Sequence, residues 1–179
     1  MKSKTAMMAV LGMFVLPALL AWVVLKFELY NAGQTNKGEF LSMEVGLADL
    51  PAMDEKKGYW NMVYVLPETC DQYCDNMLYV LRQGYVALGK LQGDVRPVVL
   101  TGNHDADAYI EKYPELMFLP TTNSETNQIE RLNSQHLYLA DPFGQVILQY
   151  EGVDDRQDMI IKVKDVLADV KRLIKYSRA

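Results

Sequence analysis

Residues 59–101 restrict the fold of this chain more than any other segment. They begin with an aromatic and β-branched run, YWNMVYVL, which is typical of a central strand. Residues 75–91 follow with apolar side chains at helical spacing, and a nearly continuous apolar run, RPVVLT, comes next. A strand, a helix and a second strand in this order predict a βαβ unit with a parallel pair of strands.

The sequence after this unit predicts a β-hairpin and a long closing helix. Residues 136–140 and 145–150 flank the turn DPFG, and residues 156–176 place apolar side chains on one helical face. A shorter helix ends before Pro114, and residues 39–50 contain an edge strand or a hairpin. Together these elements predict an α/β protein of thioredoxin-like fold, with a βαβ unit, a β-hairpin and a C-terminal helix.

The N-terminal part of the chain has a different character. Residues 6–25 contain no charged residue, and an α-helix of this length extends about 30 Å, which matches the hydrocarbon core of a bilayer. Lys2 and Lys4 precede the run, so the positive-inside rule predicts a single-pass inner-membrane anchor with a cytoplasmic N-terminus and a periplasmic body. A cleaved signal peptide is the alternative, but its apolar core is usually shorter, roughly 7–15 residues.

These features divide the chain of 179 residues into three parts. We expect the cytoplasmic tip and transmembrane anchor at 1–27, a linker and edge-strand region at 28–56, and the thioredoxin-like domain at 57–179. The net charge of −5 argues against nucleic acid as a partner, because phosphate binding requires clustered lysine and arginine residues.

The only two cysteines, Cys70 and Cys74, lie where the first strand of the βαβ unit gives way to its helix. In open α/β sheets ligands bind at the carboxyl ends of strands, and a helix N-terminus favours a thiolate. The spacing permits a disulfide, and two thiolates also suit one Cu(I) ion. A static disulfide across so short a loop would stabilise little, so we expect redox chemistry or copper binding. Glu68 and Asp71 are interpreted as solvated loop charges that oppose thiol activation.

The residues around the cysteines resemble those of the Sco/SenC family, which comprises membrane-anchored, thioredoxin-like proteins of cytochrome c oxidase assembly with a copper-binding C-x-x-x-C motif. The match covers Cys70 and Cys74 and extends to LYLADPFGQVILQY at 137–150. Residues 63–90, VYVLPETCDQYCDNMLYVLRQGYVALGK, are also similar to the cytochrome oxidase assembly transmembrane proteins. The resemblance implies a role in oxidase assembly, with oxidase subunits or other assembly factors as partners.

The resemblance also implies a third copper ligand, a histidine about nine residues before the proline of the hairpin turn. Asn133 occupies that position, and the nearest histidine is His136, while His104 is a second candidate. Two chemical hypotheses follow. Cys70 and Cys74 form a catalytic redox pair in which Cys70 attacks and Cys74 resolves, or Cys70, Cys74 and His136 together hold Cu(I). A scaffold that joins oxidase assembly factors without chemistry is the third hypothesis.

Overall fold

A computed structural model describes residues 2–26, 36–41, 45–47, 58–102, 105–121 and 131–177. The chain divides into two compact units, Met1–Thr35 and Asn36–Ala179. The first contains helix α1, Lys2–Lys26, in which the Lys26 ammonium lies 4.6 Å from the centre of the Trp22 ring. Over the residues that the structure describes, no helix combines the length and the apolar character needed to cross a membrane.

The described part of the second unit is built on one mixed sheet of six strands. The strands are β1 (Glu39–Phe40), β2 (Trp60–Val65), β3 (Val95–Gly102), β4 (Met117–Pro120), β5 (His136–Ala140) and β6 (Val146–Glu151). Their order across the sheet is β1–β6–β5–β2–β3–β4, with β2, β3 and β4 parallel and the other pairings antiparallel. The strand that leads to the cysteines, β2, is therefore central, as predicted.

Three further α-helices are described in this unit, besides a 3-10 helix at Gly89–Asp94. They are α2 (Gln72–Val86), α3 (Asp107–Lys112) and α4 (Arg156–Ser177). Helix α2 connects β2 to the parallel strand β3, which confirms the predicted βαβ unit. It begins three residues earlier than the hydrophobic spacing indicates, because the polar residues Gln72 and Tyr73 form its first turn behind a capping aspartate, Asp71.

Two hydrophobic clusters lie on opposite faces of the sheet, because successive residues of a strand point to opposite sides. On β2, Met62 and Tyr64 belong to the cluster that includes residues of α2 and α4, whereas Val63 belongs to the other cluster. On β5, Leu137 shares the cluster of the two helices and Tyr138 belongs to the other. We refer to these as the helix-covered face and the opposite face.

The hairpin β5–β6, the closing helix α4 and an edge strand at β1 agree with the sequence predictions. Strand β4 is not predicted, because four residues between polar segments are too few to show a period. Most of the predicted linker and edge-strand region at 28–56 lies outside the described residues.

Candidate functional site

Cys70 and Cys74 are joined in a disulfide at the N-terminus of α2, with their Cα atoms 5.1 Å apart. Cys70 lies in the loop after β2 and is half-buried, whereas Cys74 lies in the first turn of α2 and is 1% exposed. A thiolate must reach a partner's disulfide in order to attack it. Cys70 is therefore the sulfur that a partner can approach, and Cys74 is the shielded one.

Asp71, between the two cysteines, determines where α2 begins. Its backbone is extended, its carboxylate accepts the N–H of Cys74 at 3.0 Å, and its carbonyl accepts the N–H of Asp75 at 3.1 Å. This is an N-cap, so Asp71 does more than the solvated loop charge expected from the sequence. Its negative charge also opposes the positive end of the helix and so disfavours a thiolate nearby.

A polar pocket of about 340 Å³ opens beside the disulfide. The residues that line it are Tyr64, Pro67, Thr69, Asp71, Tyr73, Cys74, Ser134, Gln135 and Asp154. They come from β2, the cysteine loop, α2, the loop before β5 and the segment before α4. Two of them are aspartates and none is basic, so the formal charges of the pocket lining are all negative.

Tyr64, on β2, is one of the lining residues and is 0% exposed, and its buried hydroxyl group lacks a hydrogen-bond partner among the described residues. Burial raises the pKa of Tyr64 far above its usual value, and the neighbouring Tyr73 and Asp71 raise it further. The phenol therefore stays protonated. An unpaired buried hydroxyl costs about 1–3 kcal/mol, which makes such groups rare and informative.

Tyr73 connects α2 to the loop before β5. Its hydroxyl donates to the carbonyl of Gln135 at 2.7 Å, and the N–H of Gly152 donates to the same carbonyl at 2.9 Å. A Cβ atom at position 152 would collide with the Tyr73 side chain, so glycine is needed for this contact. Burial raises the pKa of Tyr73, and the carboxylates of Asp154 and Glu151 add to the rise, so the hydroxyl keeps the proton that it donates.

His136 does not join the cysteines in this structure. It is the first residue of β5, and its ring stacks with that of Tyr138, with centroids 6.2 Å apart. Tyr138 belongs to the cluster on the opposite face, whereas Cys74 belongs to the cluster on the helix-covered face. Because side chains alternate along a strand, His136 and Tyr138 point to the same side of the sheet.

Cys70 and Cys74 are joined in a disulfide, and the described residues form no metal site of the kind that the sequence resemblance implies. Within the described ranges, no group of three or more His, Cys, Asp or Glu side chains is placed to hold a metal ion. Asn133, at the expected ligand position, accepts the N–H of Gln135 through Oδ1, and its backbone bonds the Tyr138 hydroxyl. His104, the second candidate ligand, lies outside the described residues.

Sequence reasoning missed Tyr64, Tyr73 and Asp154 as parts of this site. Tyr64 had one available signal, since it alternates with Met62 and Leu66 on the buried side of β2 immediately before the cysteine loop. No sequence signal could have identified Asp154, because it follows β6 and only the folding of the hairpin brings it to the pocket.

Comparison with protein families gives one match over most of the second unit. Residues 60–177 match the family model described as transmembrane-like, thioredoxin-like, C-terminal domain. No curated protein sequence matches the chain.

Solved structures share the fold. Copper-bound yeast Sco1 is 22% identical to this chain, with a TM-score of 0.53. The match spans 66% of this chain and 82% of the Sco1 chain. Apo Sco1 from Thermus thermophilus is 16% identical, with a TM-score of 0.55. This match spans 80% of the present chain and 99% of the Sco1 chain. The thioredoxin domain of a thiol-disulfide oxidoreductase from Bacteroides vulgatus is 15% identical, with a TM-score of 0.50. This match spans 68% of the present chain and 83% of the oxidoreductase chain. The predicted thioredoxin-like α/β fold and the Sco/SenC resemblance are thereby confirmed at the level of the fold.

Proposed function

The chain belongs to the transmembrane-like, thioredoxin-like family, and we propose that it exchanges disulfides with client proteins during cytochrome c oxidase assembly. The observation that carries the proposal is the pairing of a half-buried cysteine with a buried one at the N-terminus of α2, after the carboxyl end of a central strand. The oxidase setting rests on the Sco/SenC-like motif around Cys70 and Cys74 and on the fold shared with Sco1 proteins.

The exchange consists of two nucleophilic steps. In the reduced chain the Cys70 thiolate attacks one sulfur of a client disulfide, the client S–S bond breaks, and the electron pair leaves with the other client sulfur. The Cys74 thiolate then attacks Cys70 Sγ, which forms the Cys70–Cys74 disulfide and releases the client as a dithiol. Two electrons pass to the client, and a dithiol reductant of the same compartment regenerates the reduced pair.

Mixed-disulfide trapping with the purified full-length chain tests this proposal. Cys74→Ser lacks the resolving thiol and should accumulate an adduct with a disulfide-containing client peptide. Cys70→Ser should accumulate none, because the remaining sulfur is buried. Mass spectrometry under non-reducing conditions measures both, with the double serine variant as the blank.

Two results would contradict the proposal. One is equal trapping by the two single variants, and the other is trapping by neither. Normal oxidase assembly in cells that carry the double serine variant would leave only the scaffold hypothesis.

Copper carriage is the competing function, because yeast Sco1, which shares the fold, was solved with copper bound. The described residues of this chain offer two sulfurs, and His136 lies on the opposite face. We therefore expect the reduced chain to lose Cu(I) to a chelator that a three-ligand site withstands, and His136→Ala to change nothing. Tight binding of Cu(I) that His136→Ala abolishes would favour copper carriage instead.

We further propose that α1 anchors the chain in the inner membrane, with a cytoplasmic N-terminus and a periplasmic folded unit. The uncharged run at 6–25 and the two lysines before it support this, as do exposed apolar side chains such as Met13 and Phe14, 80% and 77% exposed. The division of the chain into 1–27, 28–56 and 57–179 belongs to the same proposal. Full-length chain that an alkaline wash releases from membranes would contradict the anchor.

A further inference from the structure

We propose that the pocket beside the disulfide receives a basic side chain, lysine or arginine, that neighbours the reacting cysteine of the client. The inference rests on the proposed disulfide exchange and adds to it the chemical class of the client segment. Because Cys74 lines the same pocket, a client whose sulfur reaches the cysteine pair places its adjacent side chain at the mouth of this pocket.

The charge of the pocket selects for a cation. Asp71 and Asp154 line it, and no lysine or arginine does among the residues that the structure describes. Lys112, a cation that contacts α2, is bonded to Asp75, and Asp75 is not among the lining residues. The net charge of −5 for the whole chain adds a long-range attraction for a basic client segment.

The pocket also offers an oxygen that can accept a hydrogen bond from a client. The Gln135 carbonyl already accepts two hydrogen bonds, from Tyr73 and Gly152, whereas no described residue is bonded to the buried Tyr64 hydroxyl. Guanidinium and ammonium groups carry several N–H donors and no acceptor. One such group satisfies the oxygen of Tyr64 and neutralises the carboxylates at once, which neither an acidic nor an apolar side chain can do.

The test compares three client peptides that differ in one side chain. They are disulfide-linked dimers of Gly-Cys-Xaa, in which Xaa is arginine, citrulline or glutamate. Citrulline keeps the shape of arginine and loses its charge. Rates of reduction by the reduced full-length chain are divided by the rates with dithiothreitol, which removes the effect of each side chain on its own disulfide.

We expect the arginine peptide to react about tenfold faster than the citrulline peptide at low salt, and the glutamate peptide to be the slowest. Added salt should reduce the differences. Asp154→Asn should remove most of the arginine preference, and Tyr64→Phe should lower it by a smaller factor. Asp155→Asn is the matched control, because this adjacent aspartate does not line the pocket and caps α4 instead. It should keep the full preference.

The outcomes separate this inference from the function on which it rests. Equal normalised rates for the three peptides would overturn the basic-client inference while disulfide exchange stands, and would mean that water alone completes the bonding of Tyr64. Equal loss of preference in Asp154→Asn and Asp155→Asn would also overturn it. Failure of the chain to reduce any of the peptides would overturn both proposals.

Discussion

Two buried tyrosines on neighbouring strands show how the faces of the sheet differ. Tyr138, on the opposite face, is 2% exposed, and its hydroxyl accepts the N–H of Asn133 at 2.7 Å and lies 3.2 Å from the Asn133 carbonyl. Tyr64, on the helix-covered face, is 0% exposed, and its hydroxyl has no hydrogen-bond partner within the described part of the chain. The paired hydroxyl holds a loop against the sheet. The unpaired one forgoes that stabilisation at the pocket beside the disulfide, where a client can supply the bond.

The difference is local and does not extend over the helix-covered face. Asp169 of α4 is 0% exposed, and its Oδ2 accepts the N–H groups of Lys37 and Gly38 and the hydroxyl of Tyr150, although its Oδ1 accepts no bond. Three donors compensate for the burial of this carboxylate, and two of them, the N–H groups, tie the segment before β1 to α4. On the helix-covered face, as far as the structure describes it, Tyr64 is the buried polar side chain that is left without any partner.

The largest effect is expected from Gly152→Ala, which disturbs the contact of Tyr73 beside the pocket on the helix-covered face. The new methyl group would occupy the space of the Tyr73 side chain, so Tyr73 must move and lose its bond to Gln135. Overpacking of this kind costs about 1–3 kcal/mol, and we expect the upper half of that range in urea unfolding of the full-length chain, together with slower disulfide exchange. Gly93→Ala is the control, since nothing lies within 4 Å of its added Cβ. Equal stability of the two variants would contradict the role assigned to Gly152.

Replacing each tyrosine by phenylalanine tests the comparison directly. Tyr138→Phe removes the partner of the Asn133 backbone and should lower the free energy of unfolding by about 1 kcal/mol. Tyr64→Phe removes no hydrogen bond of the described structure, so the free energy should stay unchanged or rise slightly. Urea unfolding of the oxidised chain measures both. A loss for Tyr64→Phe as large as that for Tyr138→Phe would show that bound water already pairs the Tyr64 hydroxyl.

A smaller effect is expected from Asp71→Asn, which removes the charge at the start of α2 and keeps an oxygen that can cap it. Without the carboxylate, the helix N-terminus favours the Cys70 thiolate more strongly, so the pair should be easier to reduce and the thiolate severalfold more abundant near neutral pH. A redox titration and the ultraviolet absorbance of the thiolate measure these changes.

Asp141→Asn is the matched control for this substitution. Asp141 caps the β5–β6 turn through the N–H groups of Phe143 and Gln145, and it follows the end of β5 that pairs with the start of β2, away from the disulfide. Its loss of charge should leave the reduction potential unchanged. An equal shift in both variants would mean that net charge, not the helix cap, controls the pair.

The smallest effect concerns alkaline stability. Burial raises the pKa of Tyr64 strongly, and Tyr73 and Asp71 raise it further. Burial also raises the pKa of Tyr138, although the hydrogen bond with the Asn133 backbone partly offsets this rise. Unfolded tyrosines ionise near pH 10, so above that pH the folded state holds more protons and stability falls as pH rises. Tyr64→Phe should flatten this fall more than Tyr138→Phe. Parallel curves for the two variants would contradict the stronger burial effect at Tyr64.

Elements with a local period were predictable from the sequence. Strands β2 and β3 are apolar runs, and α2 and α4 repeat apolar residues at helical spacing. Each of these elements can therefore be identified from its own segment, without knowledge of what packs against it. Strand β4 was not predictable in this way, because its pairing with the neighbouring strand β3 determines it. The cysteine pair was predictable for the same reason as the long elements, since it lies at a local boundary between strand and helix.

By itself the sequence determined that Cys70 and Cys74 meet at the start of a helix, because four residues across that boundary cannot place them far apart. Only the tertiary structure decided what surrounds them. His136 stacks with Tyr138, and Tyr64 and Asp154 come together beside the disulfide, as a result of strand register and hairpin folding. A shift of one residue turns every side chain of a strand to the other face. A spacing counted along the chain, from Pro142 back to a histidine, therefore carries no information about which face that histidine occupies.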